Sequence, residues 1–439
     1  MSATGTTMKD GRQNAAGEQP SGLAPVIILN LFHSGLAIAR QLAGTGVRVV
    51  GLSAHPRIYG NFTRLCEVRV APNSQEEAPQ LADYLLRVSS ELGGAIIFPT
   101  RDADTLFLNR FREVLSPFYK LAIPDGHVLF RIMDKALLAE TAQDAGIAVP
   151  RTVVVRDGTE LQSQVEHVGF PCVIKPVSSI HWRSGNNWKE VGGRKAFRAN
   201  DLLELQQEYS RISRVRSEIL LQEWIPGETD QIVVWGGYVR RELDPLGYFT
   251  AKKIVQNPEE FGTGCVVESE EIADLLDPSV RLCRALGYEG IAEIEYKRDA
   301  RDGNLKLIEV NARHWDWHQL GSASGVNLTW AAYCHLSGRP VQVLQTRIRR
   351  ATWIAEDMFL AHIVASVSKG VNPWAMRRAL TGTRMYGMFS WNDPVPFFRY
   401  AATTMLPSFT GAAFRKIRLS LFGHGVATAT PPLHREASS

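Results

Sequence analysis

The run Lys306-Leu307-Ile308-Glu309-Val310-Asn311-Ala312-Arg313 reads as a short strand ending in a carboxylate, an amide and a guanidinium at spacing two. Side chains two apart on a strand share a face. Glu309, Asn311 and Arg313 therefore converge on one side, while Ile308 and Val310 turn to the core. A carboxylate beside an amide oxygen is a hard donor pair, of the kind Mg²⁺ accepts when it also holds phosphate oxygens. An adjacent arginine can grip a phosphoryl or acyl-phosphate oxygen pair bidentately. The same pattern fits an amphipathic edge strand with one polar face, and the segment alone does not separate the two.

The residues just upstream do. Gly290-Ile291-Ala292-Glu293-Ile294-Glu295-Tyr296 is a strand with Glu293 and Glu295 on one face, and Asp302-Gly303-Asn304 is a hairpin turn back into the opening run. Glu295 and Glu309 then lie on adjacent antiparallel strands. Two carboxylates so placed repel unless a cation or a proton sits between them. A divalent metal among Glu295, Glu309 and Asn311 relieves that repulsion, which favours the metal reading.

The chain before this hairpin alternates strands and helices. Val26-Ile27-Ile28-Leu29-Asn30 is a continuous apolar run, as in a buried parallel strand. Leu31 to Leu42 follows as a helical pattern, and Val47 to Leu52 as a second strand, which makes a βαβ unit. The turn between strand and helix has one glycine, Gly35, not G-x-G-x-x-G, so a dinucleotide site is poorly supported. The helix start at His33 and Ser34 could still cradle a substrate anion; turn geometry explains these residues equally simply. Ala95 to Thr100 is a third buried strand, with Arg101, Asp102 and Asp104 at its carboxyl end, where open α/β sheets bind ligands. Asp102 capping the next helix is the plainer alternative. Leu121-Ala122-Ile123-Pro124 closes this unit near residue 125.

From Met133 a lysine-bearing helix start, Asp134-Lys135, leads to a stop at Gly146 and Pro150. The strand Phe170 to Pro176 ends in Lys175, whose point charge could meet a phosphate or simply be a solvated strand end. Ser178 to Gly193 is either a loop that covers phosphates or an ordinary hairpin turn. Glu218 to Ile225 is an apolar strand; polar backbone beside Trp224 and Ile225 suits a flat ring, and Glu228 past the turn suits ribose hydroxyls. Gln231 to Trp235, Tyr238 to Arg241 and Tyr248 to Ile254 read as antiparallel strands joined by tight turns. Lys252 and Lys253 alternate faces, so one of them points at a site.

Composition sets the outer limits. At 439 residues the chain calls for two to four domains, and 45% apolar with 21% charged residues is the composition of a soluble globular protein. A net charge of +4 does not point to nucleic acid. Five scattered cysteines without C-x-x-C spacing argue against a disulfide framework or a zinc site and suit a reducing cytoplasm. Residues 1–25 are polar, lack an apolar h-region, and read as a disordered tail. No apolar run approaches the roughly 18 to 20 residues that span a bilayer.

Taken together, these segments resemble the ATP-grasp superfamily over about residues 26 to 335. Ile308-Glu309-Val310-Asn311-Ala312-Arg313 is the most specific part of the likeness. Within the superfamily, Tyr248 to Lys253 and Gly262-Thr263-Gly264 look like the carboxylate–amine ligase group that includes D-aspartate ligase. The resemblance implies an α/β fold. A Rossmann-like pre-ATP-grasp domain would occupy 26–125, a two-lobed α+β ATP-grasp domain 126–335, and a helical extension and tail 336–439. It implies ATP held by Lys135, Lys175, Gln222, Glu223, Ile225 and Glu228, and Mg²⁺ (or Mn²⁺) held by Glu295, Glu309 and Asn311. Arg313 and one of Lys252 or Lys253, with Lys253 preferred, would steady the transferring phosphoryl group and the acyl-phosphate oxyanion. A substrate carboxylate would be phosphorylated and then attacked by an amine, on small-molecule substrates such as amino acids, by a protein that is a monomer or a homo-oligomer. The phosphate-covering loop departs from the pattern in being aromatic (His181, Trp182, Trp188) instead of glycine-rich. Phosphotransfer without an amine, or nucleotide sensing without ligation, would use the same nucleotide half.

Beyond residue 340, Phe359 to Val367 and Trp374 to Leu380 read as helices. Phe397 to Phe422 mixes aromatic and basic residues, a pattern that either packs on the enzyme body or lies on an anionic membrane near a lipid-linked substrate. The expected location is the cytoplasm, with membrane association as the variant.

Overall fold

Strand β1 (Val26–Leu29) is apolar at every position because both its faces are covered. Val26 and Ile28 enter one core, and Ile27 and Leu29 enter another. The computed structural model describes residues 22–183, 185–241, 244–341, 343–344, 350–368 and 382–407. In it β1 is the centre of a five-stranded, wholly parallel sheet of order β3-β2-β1-β4-β5. Its other members are β2 (Val49–Ser53), β3 (Glu67–Val70), β4 (Ile96–Phe98) and β5 (Lys120–Leu121). Helix His33–Leu42 makes the crossover from β1 to β2, as the βαβ pattern requires.

The loops at the carboxyl ends of these strands are tied by one buried carboxylate, Asp104. It accepts from Asn30 Nδ2 at 3.0 and 3.1 Å, from Ser74 Oγ at 2.6 Å and from the Arg101 guanidinium at 2.9 Å. The backbone N–H groups of Thr100 and Arg101 donate to its other oxygen at 3.2 and 3.0 Å. Asp104 thus fixes the loop that carries Asp102. The helix it stabilises runs Asp102–Arg110 with Arg101 at the cap position, so Asp102 is the first helical residue and not the cap.

The middle of the chain forms a four-stranded antiparallel sheet of order β6-β9-β7-β8. Its strands are β6 (Thr152–Val155), β7 (Cys172–Lys175), β8 (Phe197–Ala199) and β9 (Ile219–Glu223). The Ser178–Gly193 segment between β7 and β8 is not a hairpin turn. It contains two short helices, Ser179–Arg183 and Asn187–Glu190. Trp182 is buried beside Phe197, with ring centroids 5.6 Å apart, so this aromatic ring anchors the segment to its own sheet.

The largest sheet has seven strands in the order β14-β13-β10-β11-β12-β15-β16. They are β10 (Ile232–Val239), β11 (Gly247–Asn257), β12 (Thr263–Ser269), β13 (Gly290–Arg298), β14 (Leu305–Asn311), β15 (Ala351–Ile354) and β16 (Thr383–Tyr386). Two expectations change here. Gly236-Gly237 is not a turn between strands, because β10 runs unbroken through it. A Cβ at Gly236 would sit 2.6 Å from the Trp315 ring, so this glycine admits a tryptophan against the strand. The second correction concerns the helical extension expected after residue 336. Ala351–Ile354 pairs with β12 and Thr383–Tyr386 with β15, while helices Glu356–Ser368 and Val395–Tyr400 accompany them. All four residues of β15 are buried, and they cover the otherwise open edge of β12. The region also clasps the first domain. Arg40 donates to the carbonyls of Tyr386 and Gly387 at 3.2 and 3.0 Å, and Thr63 donates to Asp393 at 2.5 Å. The readings for 374–380, 408–422, 427–439 and most of the N-terminal tail fall outside the described residues.

Replacing Asp104 with alanine strands several buried donors and one arginine at once. The expected loss is about 3 to 5 kcal/mol of stability, read as a lowered urea midpoint with the spectroscopic signature of the native fold retained in buffer.

Candidate active site

Hairpin β13–β14 has the register expected of it: Glu295 faces Glu309, and Glu293 faces Asn311. These side chains open into a cleft of about 860 Å³ whose walls come from all three sheets. Asp102 and Thr100 reach it from the parallel sheet, Lys175 and Gln222 from the four-stranded sheet, and Lys253 and Glu309 from the seven-stranded sheet.

The like-charge pair is compensated by lysines. Lys253 extends from β11 over β10 and makes an ion pair with Glu295. Lys252 points the other way, to Glu270 at 2.5 Å, so Lys253 is the one that faces the cleft. Burial works to raise the Glu309 carboxyl, but Lys135 and Lys195, with Lys175 further off, outweigh it and the nearby Asp102 and hold the group below the usual carboxylate range. Burial, with Glu295 alongside, raises the Glu293 carboxyl to about 8; Lys253 and Arg313 pull it down but do not offset these surroundings. Asn311 Nδ2 donates to it at 2.9 Å.

Arg313 lies just past β14. Its Nε donates to Asp102 Oδ1 at 2.6 Å and its Nη2 to Asn311 Oδ1 at 3.2 Å. Burial alone would raise the Asp102 carboxyl; Arg313 beside it, with Arg183 at 3.6 Å, brings it down to about 2. Lys135 opens helix Lys135–Asp144, positioned by the Asp134 side chain, which accepts from Ala136 N and Leu137 N at 2.9 and 3.1 Å. Lys175 donates to Gln222 Oε1 at 2.8 Å, and Gln222 in turn donates to Thr152 at 3.1 Å. Burial, with Lys135 close by, lowers Lys175 to about 8.

Ile225, Glu228 and Glu223 line the same cleft beside Trp224. The Glu223 carboxylate is already engaged by Arg301 at 2.6 Å, Lys306 at 3.3 Å and Arg151 N at 3.1 Å, and its backbone N–H donates to the Arg151 carbonyl at 2.8 Å. His33 does not line the cleft; it packs on Trp353 and Tyr59, with Asp357 at 3.7 Å. Ser34 donates to Asp316, which does line it, at 2.8 Å. Sequence reasoning missed Lys195 and Asp316. Lys195 donates to Thr263 at 2.8 Å, and only the pairing of β7 with β8 carries it there.

Among the described residues no group of three or more His, Cys, Asp or Glu side chains is arranged to hold a metal ion. The available donors are two carboxylates, Glu295 and Glu309, and the Asn311 amide. These fit a hard divalent cation that takes its remaining ligands from phosphate oxygens. The fit is supported by Lys253, a cation already drawn to one of the two facing carboxylates.

The fold and the cleft are similar to those of ATP-grasp proteins. The family model for the carbamoyl-phosphate synthase L chain, ATP binding domain, matches residues 246–334. The chain is 22% identical to the D-aspartate ligase of Enterococcus faecium over 61% of its length and 65% of that protein. It is 27% identical to the D-alanine--D-alanine ligase of Stutzerimonas stutzeri over 41% of its length and 54% of that protein. It thus spans less than two thirds of either relative. The biotin carboxylase domain dimer of the Hydrogenobacter thermophilus 2-oxoglutarate carboxylase, solved with MgADP, ADP and bicarbonate, superimposes with a TM-score of 0.59 at 16% identity, covering 75% of this chain and 73% of that one. The resemblance to ATP-grasp enzymes, with carboxylate–amine ligases among the relatives, therefore stands.

Lys175 carries its charge below about 8 and loses it as pH rises through that value. An anion in the cleft is held less well once this charge is gone. Affinity for ADP, used as a polyanion probe of the cleft, should fall up to about tenfold between pH 7 and pH 9, and calorimetry on Lys175→Met should give weaker binding with a flatter pH profile.

Proposed function

We propose that the protein is an ATP- and Mg²⁺-dependent ligase that activates a carboxylate as an acyl phosphate and joins it to an amine. The observation that carries this reading is the cleft itself. It brings two facing carboxylates, an amide, an arginine and four lysines (Lys135, Lys175, Lys195, Lys253) from two sheets and a helix start to one place. The relatives named D-aspartate ligase and D-alanine--D-alanine ligase suggest an amino acid as one substrate. The parts at 26–125, 126–335 and 336–439 are taken as a Rossmann-like substrate domain, a two-lobed nucleotide domain and a C-terminal closure. A cytoplasmic location is part of the proposal. Among the described residues no helix is long and apolar enough to cross a membrane. Assembly as a homo-oligomer, or peripheral membrane contact through exposed Trp391 and Phe398, would be additions to it.

In this reading Gln222, the main chain of Glu223, and Ile225 line the adenine slot, and Glu228 receives ribose hydroxyls. Lys135 and Lys175 approach the phosphates as fixed positive charges. Glu295, Glu309 and Asn311 would hold the metal, which neutralises phosphoryl oxygens when bound. Arg313 is oriented by Asp102 and Asn311, so its remaining N–H groups are pre-aimed at charge that builds as the phosphoryl group transfers. Lys253 would leave Glu295 to the metal and turn its charge to the acyl-phosphate oxygen. The amine nitrogen then displaces phosphate, releasing ADP and inorganic phosphate.

ADP release should require Mg·ATP, a particular carboxylate and a particular amine, with a condensed product of matching mass. A stable phosphorylated product formed without any amine would instead make the protein a phosphotransferase. Glu309→Gln removes one metal donor and one charge while keeping the shape. Turnover should drop by about a hundred- to a thousandfold, the scale of a lost electrostatic contact of roughly 3 to 4 kcal/mol, with the native fold retained. Full activity in that variant would exclude Glu309 from the metal site.

A further inference from the structure

Asp316 is a carboxylate on the cleft wall for which the nucleotide and metal contacts have no use. It follows Arg313 closely in sequence and stands between Trp315 and Trp317, both buried at 3% and 2% exposure. The tryptophans fix the backbone on either side of it. Trp315 packs on Phe249, with ring centroids 6.1 Å apart, and edge-on to Trp317 at 5.5 Å. One carboxylate oxygen, Oδ1, accepts from Ser34 Oγ at 2.8 Å.

Three other acids of the cleft have cations, while Glu293 is met by the Asn311 amide. Glu295 has Lys253, Asp102 has Arg313 and Arg183, and Glu309 has its lysines. Among the described residues Asp316 forms no ion pair, although it is only partly exposed and lines the same cavity as Arg313. Ser34 lies in the first turn of helix His33–Leu42, where an anion is favoured by the helix dipole. That helix start, considered from sequence as a cradle for a substrate anion, therefore already faces the protein's own carboxylate. It directs Asp316, and it makes the place unsuitable for a second anion.

Arg313 and Asp316 thus offer a guanidinium and a carboxylate to one cavity, the complement of a zwitterion. Resting on the ligase reading, we propose that Asp316, positioned by Ser34, binds the ammonium group of an amino-acid acyl donor whose carboxylate is activated beside Arg313. The donor is preferred over the amine acceptor for a chemical reason. The acceptor must shed its proton to attack, and a fixed carboxylate beside it would stabilise the protonated, unreactive form. The donor's ammonium stays protonated throughout, so a permanent carboxylate partner costs its reaction nothing.

The test compares amino acids with their des-amino acids as acyl donors: D-alanine against propionate, D-aspartate against succinate, and each active L-amino acid against its own des-amino acid. All are run with Mg·ATP and one amine, for the wild type, Asp316→Asn and Ser34→Ala. Asparagine keeps the size of the side chain and an oxygen for the Ser34 hydroxyl while removing the charge. The wild type should prefer the amino acid by at least about a hundredfold in kcat/KM, the scale set by one charge-assisted hydrogen bond of roughly 3 kcal/mol. Asp316→Asn should lose at least tenfold on the amino acid, with the des-amino acid and the KM for ATP unchanged. Ser34→Ala should show a smaller loss of the same kind. Unaltered selectivity in Asp316→Asn, or a loss confined to the KM of the amine acceptor, overturns the assignment. Absence of ADP release by the wild type with every pair overturns the ligase reading itself, and this inference with it.

Discussion

The repulsion between Glu295 and Glu309 organises much of this molecule. Antiparallel pairing of β13 with β14 places the two carboxylates face to face, and burial makes water a poor remedy for both. The fold answers with cations brought from far away in sequence. Lys253 comes from β11, Lys135 from the start of a helix before the four-stranded sheet, and Lys195 from the edge of that sheet. Each lysine is itself costly to bury, as the lowered values of Lys175 and Lys195 show. The acids and the lysines are therefore sustainable only together. Such a balance also suits a cleft that receives a polyphosphate and a metal, because incoming charge of either sign finds a partner that can be exchanged.

A second set of charges fastens the two halves of the cleft to each other. Glu223, at the end of β9, meets Arg301 from the β13–β14 turn and Lys306 from β14, and both also contact Asp299. On the opposite side of the crossing, Arg198 stacks over Trp224 at 4.3 Å and Lys297 approaches the same ring at 5.7 Å. The connection from the four-stranded to the seven-stranded sheet is thus clamped by ion pairs on one side and by a cation-bearing indole on the other. That geometry fixes the chain that carries Ile225 and Glu228 along the cleft.

What was legible in the sequence was local and periodic. Val26 to Leu29, Ile96 to Phe98 and the β13–β14 hairpin announce themselves because burial on two faces or one imposes a pattern on neighbouring residues. Lys135 and Lys175 could be found because each sits at a visible boundary, one behind an Asp cap and one at a strand end. The register of Glu295 against Glu309 followed from the hairpin turn. What was not legible depends on contacts across long separations. The Asp102–Arg313 pair joins the parallel sheet to the antiparallel one, and no local pattern distinguishes it from an acid at a helix start. Lys195 sits between a glycine pair and a strand of three residues, with nothing nearby to mark it. Gly236-Gly237 looks like a turn because the reason for glycine at 236 is Trp315, far along the chain. Strands β15 and β16, of four residues each, were hidden for a related reason: their identity is set by the open edge of β12 that they extend.

Both classes of residue meet in the short stretch from Glu309 to Trp317. Up to Asn311 the chain is a strand, and its alternation divides ligand-facing from core-facing side chains. Past Asn311 that alternation ends, and tertiary contacts take over. Arg313 is set by Asp102, His314 by Thr329 at 3.0 Å, and Asp316 by Ser34 at 2.8 Å. The first and last of these partners belong to the loop after β4 and the helix after β1, at the carboxyl ends of the parallel sheet. The amino-terminal parallel sheet is therefore not an appendage to the cleft. Its Asp102 and Ser34 hold the two polar side chains, Arg313 and Asp316, that follow Glu309 and Asn311 along the cleft wall. A chain with β13 and β14 intact but without the parallel sheet would keep the donors and lose the means to aim them.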